Sequence, residues 1–117
     1  MFIATVIISV VLAVALVASA AMKLQRNPQV VAAIHDTVGV PMRWLPILAA
    51  LEVAGAVGLI VGLWWAPLGI AAAIGVIAYF VGAVIAHLRV GDTKGLAGPT
   101  VPLLLAITAL VLRSLSA

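Results

Sequence analysis

One carboxylate dominates the chemistry available to this chain. Glu52 stands alone in the run WLPILAALEVAGAVGLIVGLWW, from Trp44 to Trp65, which is long enough to cross a bilayer. A carboxylate at that depth costs at least ~2.5 kcal/mol on insertion scales and is by default a functional-site residue. At a rise of ~1.5 Å per residue it lies ~12 Å below the interface marked by Trp44. Tyr79 precedes His87 by the same eight residues that separate Trp44 from Glu52, so Tyr79 and Glu52 fall at similar depth. Tyr79, Ala83 and His87 follow a four-residue step, as do Ser19 and Lys23, and each set shares a helix face. The spacing predicts a polar pocket with Lys23 and His87 near its mouth and Glu52 and Tyr79 below. Glu52, His87 and Tyr79 are the candidates for proton handling and catalysis. Lys23, Ser19, His35, Asp36 and Trp44 are the candidates for ligand binding, with His35-Asp36 placed to cap the mouth.

Each of these groups also has a structural role open to it. Glu52 can serve as a neutral carboxyl hydrogen-bonded between helices. Lys23 can snorkel from a helix end. Tyr79 can be a packed aromatic, His87 an interfacial histidine, and His35-Asp36 a solvated pair. No metal is expected, because His35, Asp36, Glu52 and His87 form no tight ligand spacing. The chain carries no phosphate-binding loop, dinucleotide fingerprint or serine elbow. It has no cysteine, which excludes thiolate chemistry by this chain alone.

The elements that must position these residues are membrane spans. The chain has 117 residues, of which 67% are hydrophobic and 8% charged, a composition that a soluble domain has no use for. The expectation is an all-α membrane protein, a four-transmembrane-helix bundle forming a single domain over residues 1–117. The spans are expected at about Phe2–Met22, Trp44–Leu63, Pro67–Leu88 and Pro99–Leu112, the last extensible to Leu115. Pro46, Pro67 and Pro99 suit first-turn positions, while Pro102 makes an irregular start to the fourth helix. Ala18-Ser19-Ala20 has the small-x-small form of a signal-peptidase site. The preceding apolar run, without a basic start, is too long for a signal and reads as the first span. Between spans one and two, apolar Val30, Val31, Ile34 and Val38 predict a short amphipathic helix on the membrane surface, closed by Gly39 and Pro41. Spans two and three are joined by a tight hairpin at Trp65-Ala66. Gly58 and Gly62, with Gly55 near them, and Ala71, Gly75 and Gly82 on the third span, are expected to let helix backbones approach.

Lys23, Arg26, Arg43, Arg89 and Lys94 gather on one side and Arg113 lies on the other. The positive-inside rule then places the long loops in the cytoplasm and both termini outside. The net charge of +3 is used in this orientation and gives no reason to expect a nucleic-acid partner.

The stretches ASAAMKL, VGVPMRWLPILAALEVAGAVGLIVGLWWAPLGIAAA and VGAVIAHLRVGD resemble the DoxX-like family of small four-helix membrane proteins. The resemblance runs from about Ser19 to Asp92. Lys23 at the end of the first span, Glu52 with Gly55 and Gly62 in the second, and His87-Leu88-Arg89 closing the third match the family pattern. The resemblance implies a multi-pass protein of the bacterial cell membrane. Relatives include a subunit associated with thiosulfate:quinone oxidation and a mycobacterial membrane protein linked to oxidant defence. It therefore points to a redox accessory whose pocket binds a small lipophile such as a quinone, working with a membrane or soluble oxidoreductase or as a homo-oligomer. Two alternatives stand beside it. One is a cofactor-free acid/base enzyme of the isomerase or epoxide-opening cyclase type. The other is a non-catalytic assembly module in which Glu52 and Lys23 tie helices together.

Overall fold

Within hydrocarbon every backbone N–H and C=O must find a partner inside the protein, and a helix achieves this within one segment. Each apolar run does so in the computed structural model, which describes residues 1–116. The long helices are α1 (Phe2–Leu24), α3 (Leu45–Val61), α4 (Ala66–Arg89) and α5 (Ala97–Leu115), with a short α2 (Pro28–Val31) between the first two. There is no strand among the described residues. Single 3-10 turns, Met42–Trp44 and Lys94–Leu96, lead into α3 and α5 and lengthen those two spans to 20 and 22 residues. The fourth span is thus longer than the proline positions suggested. Its helix starts two residues before Pro99 and runs through Pro102.

Helix α1 packs along α3 and α5, and α4 packs along the same two, so the four close a ring. The bundle is 41 Å long, matching the ~40–45 Å of a bilayer with its headgroup regions. Its lipid-facing surface is rich in large apolar side chains such as Ile7, Val14, Val57, Ile74 and Val111. The interior follows steps of three and four residues. Thr5, Ser9, Leu12, Leu16, Ala20 and Lys23 face inward on α1, and Leu45, Ala49, Glu52, Ala56 and Leu59 on α3. Gly69, Ala73, Val76 and Phe80 do so on α4, and Ala106, Ala109 and Arg113 on α5. Such spacing keeps one seam of each helix against its neighbours. Lys23, Glu52 and Arg113 occupy seam positions where an aliphatic residue would otherwise pack.

The glycines divide into two groups. A Cβ on Gly58 would lie 2.7 Å from that of Ala72, one on Gly55 would lie 2.8 Å from Val76 Cγ2, and one on Gly62 would collide with the Gly69 backbone. These three let α3 and α4 touch. Gly75 and Gly82, expected to act likewise, have open space where a Cβ would go, and Ala71 is exposed. The small residues that bring α4 against α3 are Gly69 and Ala72 instead.

At the Gly62 end of the bundle Arg113 is buried. Its Nε donates to the Gly62 carbonyl at 2.9 Å and its Nη2 reaches the Leu63 carbonyl at 3.5 Å. A guanidinium there satisfies C-terminal carbonyls of α3 and complements the negative end of its dipole. Arg113 is therefore a clamp on the hairpin, besides the orientation signal read from the sequence.

Candidate functional site

The segment between α1 and α3 begins with a Schellman ending of α1. Asn27 N–H donates to the Met22 carbonyl and Arg26 N–H to that of Lys23, with Arg26 in the left-handed region at φ 53°. Asn27 then caps α2 through its side chain, and Pro28 takes the first helical position. The expected amphipathic helix forms from Pro28 to Thr37, but its second half, Ala32–Thr37, is a π-helix. It ends at Gly39, whose φ of 86° favours glycine. Val30, Ile34 and Val38 point one way, into a cavity of about 650 Å³.

The end of α4 is a second Schellman ending, with Asp92 N–H bonded to the His87 carbonyl, Gly91 N–H to that of Leu88, and Gly91 at φ 69°. This turn brings the Asp92 carboxylate back to His87, where Oδ2 lies 2.8 Å from Nδ1. Asp92 Oδ1 also accepts the Gly95 N–H at 3.1 Å. His87 is thus held by its own helix end, and its ring forms part of the cavity wall.

Lys23 and Glu52 meet directly. Lys23 Nζ is 2.7 Å from Glu52 Oε1, and the two side chains are 8% and 0% exposed. Lys23 Nζ also donates to Ser19 Oγ at 2.8 Å. The expected geometry, with Lys23 at the mouth and Glu52 a step below, is replaced by contact. Lys23 belongs to the last turn of α1 and folds inward along its seam, so its aliphatic stem spans the difference in depth. The contact is one of charge, since it does not have the geometry of a directed hydrogen bond. The Tyr79 hydroxyl lies within hydrogen-bonding reach of the Glu52 carboxylate.

Two voids flank this pair. The cavity of about 650 Å³ is walled by α1, α2, α4 and the start of α5, with Ser19, Lys23, Tyr79 and His87 among its residues and the rest mostly apolar. A groove of about 390 Å³ lies on the other side, between α3 and α4, with Glu52, Gly55, Gly75 and Tyr79 in its lining. Tyr79 belongs to both. The structure thus brings Ser19, Lys23, Glu52, Tyr79 and His87 around one region. His35, Asp36 and Trp44 lie elsewhere. All three are exposed; His35 Nδ1 is engaged with the Val40 carbonyl at 2.8 Å, and Trp44 lines a shallow surface recess with Val38, Pro41 and Arg89. Asp92, absent from the sequence-based set, joins through the helix-ending turn. The only signal for it was Gly91 one position earlier.

Among the described residues no group of three or more His, Asp or Glu side chains converges as a metal site. The ion pair can fix a polar head group at the edge of an apolar chamber, and the two voids can take apolar bodies of modest size. No curated protein sequence and no solved structure matches the chain. A family match covers residues 7–109, which takes in the ion pair, both voids, all of α3 and α4 and most of α1 and α5, and the chain belongs to the DoxX-like family of membrane proteins.

Proposed function

We propose that this protein binds a small lipophilic molecule with a hydrogen-bond-accepting head in the cavity beside Lys23, and that the occupant is a quinone serving a redox partner. The observation that carries the reading is the unfilled valence of Lys23. An ammonium has three protons to donate; Ser19 accepts one and Glu52 faces another as an ion pair, and Lys23 lines a mostly apolar cavity of about 650 Å³. That volume is in the range of small-molecule sites, where a few polar groups orient an apolar body. A quinone carbonyl accepts the third proton of Lys23, and its ring packs among Ile34, Phe80 and Ala83. The family resemblance supports the redox setting. With no cysteine in the chain, thiol chemistry belongs to the partner. In this reading the protein lies in a bacterial cell membrane with the long loops and the cavity on the cytoplasmic side, and the whole chain is one domain.

The ion pair favours binding over acid/base catalysis by Glu52, because Lys23 already occupies one of its oxygens and the side chain is fully buried. The test is thermal unfolding of the detergent-purified protein with and without decylubiquinone. Stabilisation is expected in the wild type and its loss in Gly82→Leu, because Gly82 lines the cavity and a Cβ there meets nothing. An unchanged midpoint in the wild type would leave the pair as an interhelical tie and overturn the reading.

A further inference from the structure

The groove between α3 and α4 continues the cavity along the bundle axis. Helices α1, α3 and α4 line both voids, each through residues about one turn apart. Leu16 of α1 lines the groove and Ser19 the cavity, and on α3 the corresponding pair is Leu51 and Leu48. On α4 the lining passes from Val76 through Tyr79, which belongs to both voids, to Ala83. The cavity reaches the loop end of the bundle, where Asn27, Gln29 and Gly95 form part of its wall. The groove runs from Tyr79 back to Ala72, in the middle of the 24-residue α4. At ~1.5 Å per residue it extends ~10 Å beyond Tyr79 toward the hairpin.

The groove exists because the two helices splay. They touch where Gly58 meets Ala72 and Gly62 meets Gly69, whereas a Cβ on Gly75 would meet nothing. The gap opens to lipid, since Leu51, Ala54 and Gly75 are exposed on the bundle surface within the apolar spans. The two polar side chains in its lining are engaged within the protein, Glu52 with Lys23 and the Tyr79 hydroxyl with Glu52. An occupant therefore finds apolar contact with Leu16, Leu51, Ala54 and Val76. Polar groups at the loop end and an apolar slot at mid-span reproduce the order of an amphiphile in one leaflet, head at the interface and tail toward the centre. We propose that the groove holds the hydrocarbon tail of the molecule whose head occupies the cavity. The ligand class is then a tailed lipid, such as a prenyl or alkyl quinone, and not a free ring. Its tail passes Tyr79 and leaves between α3 and α4 into the bilayer. This inference rests on the cavity reading above and adds to it a second determinant of specificity.

Two quinones with the same head isolate the tail: decylubiquinone and its tail-less parent, 2,3-dimethoxy-5-methyl-1,4-benzoquinone. Each is titrated calorimetrically into the protein in lipid nanodiscs, and each is compared between variants, so that its partition into lipid cancels. Gly75→Leu fills the groove without a clash in the protein, since nothing lies near a Cβ there. It is expected to weaken decylubiquinone at least about tenfold, as overfilling an occupied site does, and to leave the tail-less quinone within about twofold. Ala54→Leu, on the facing helix, is expected to act alike, which separates occupation of the groove from a local defect in α4. Gly82→Leu, on the cavity wall, is expected to weaken both probes. A decyl quinone with a diazirine at the tail end should label Leu51, Ala54 or Gly75, and this label decides the matter if the tail-less ring binds too weakly to titrate. An equal response of the two probes to Gly75→Leu, or labelling confined to α2, would overturn the proposal while the cavity reading stands. Binding of neither quinone to the wild type would overturn the cavity reading and this proposal with it.

Discussion

Removal of one member of the Lys23–Glu52 pair is expected to cost the fold unequally. At 2.7 Å and an effective dielectric of ~20, the Coulomb attraction is roughly 6 kcal/mol, most of which offsets the desolvation of both groups. Deleting one partner of a buried pair typically costs about 3–5 kcal/mol, because the other is left uncompensated, whereas an apolar replacement of both is often neutral or stabilising. The position of the two residues sets the asymmetry. Lys23 lies one residue from the end of α1, which spans Phe2–Leu24. Without Glu52 its stem can swing to the interface and regain water. Glu52 is the eighth residue of the 17-residue α3 and has no comparable escape. Lys23→Met is therefore expected at the upper end of the range, Glu52→Gln at or below its lower end, and Lys23→Met with Glu52→Leu close to wild type. The assay is equilibrium unfolding in mixed detergent–SDS micelles followed by helical circular dichroism, arranged as a double-mutant cycle. Additive single effects, with a coupling below about 0.5 kcal/mol, would show that the two groups do not interact and would refute the reasoning.

Three further outcomes follow from the packing. Arg113→Met should destabilise by about 2–4 kcal/mol in the same assay, since two carbonyls at the end of α3 lose a charged donor, and Arg113→Lys should recover only part, lacking the planar fork. Gly62→Ala should be severely destabilising through collision with the Gly69 backbone, whereas Gly75→Ala should be neutral or stabilising by up to ~1 kcal/mol from helix propensity; a similar cost for both would contradict the division of the glycines. Single cysteines at Gln29 and Lys94, in a chain with no native cysteine, should react with an impermeant maleimide only in inverted vesicles; labelling in intact cells would reverse the proposed orientation.

Four helices were legible because each apolar run is long enough to cross hydrocarbon and backbone there has few alternatives to a helix. The end points were less so. Pro99 and Pro102 suggested a late, irregular start to α5, yet the chain begins the helix at Ala97, where the N–H groups lost to proline fall largely within the first turns. The amphipathic segment was visible in Val30, Ile34 and Val38, but its π-helical second half has no periodic signature over six residues.

The sequence by itself determined the class of molecule and the place of Glu52 along its span, because hydropathy and helical length are local properties. It placed Lys23, Tyr79 and His87 near that carboxylate, since position along a span sets height in the membrane. It left open which of them touches Glu52. That depends on how each helix is rotated and how closely α1 lies on α3, which are set by van der Waals fit over whole helix faces. Only the tertiary structure brought Lys23 Nζ onto Glu52, turned His87 to Asp92, set Arg113 against the end of α3, and showed that Gly58 and Gly62 close a contact while Gly75 and Gly82 open onto voids. A glycine reads the same in either setting. What differs is the neighbour that a side chain would have met, and that neighbour comes from another helix.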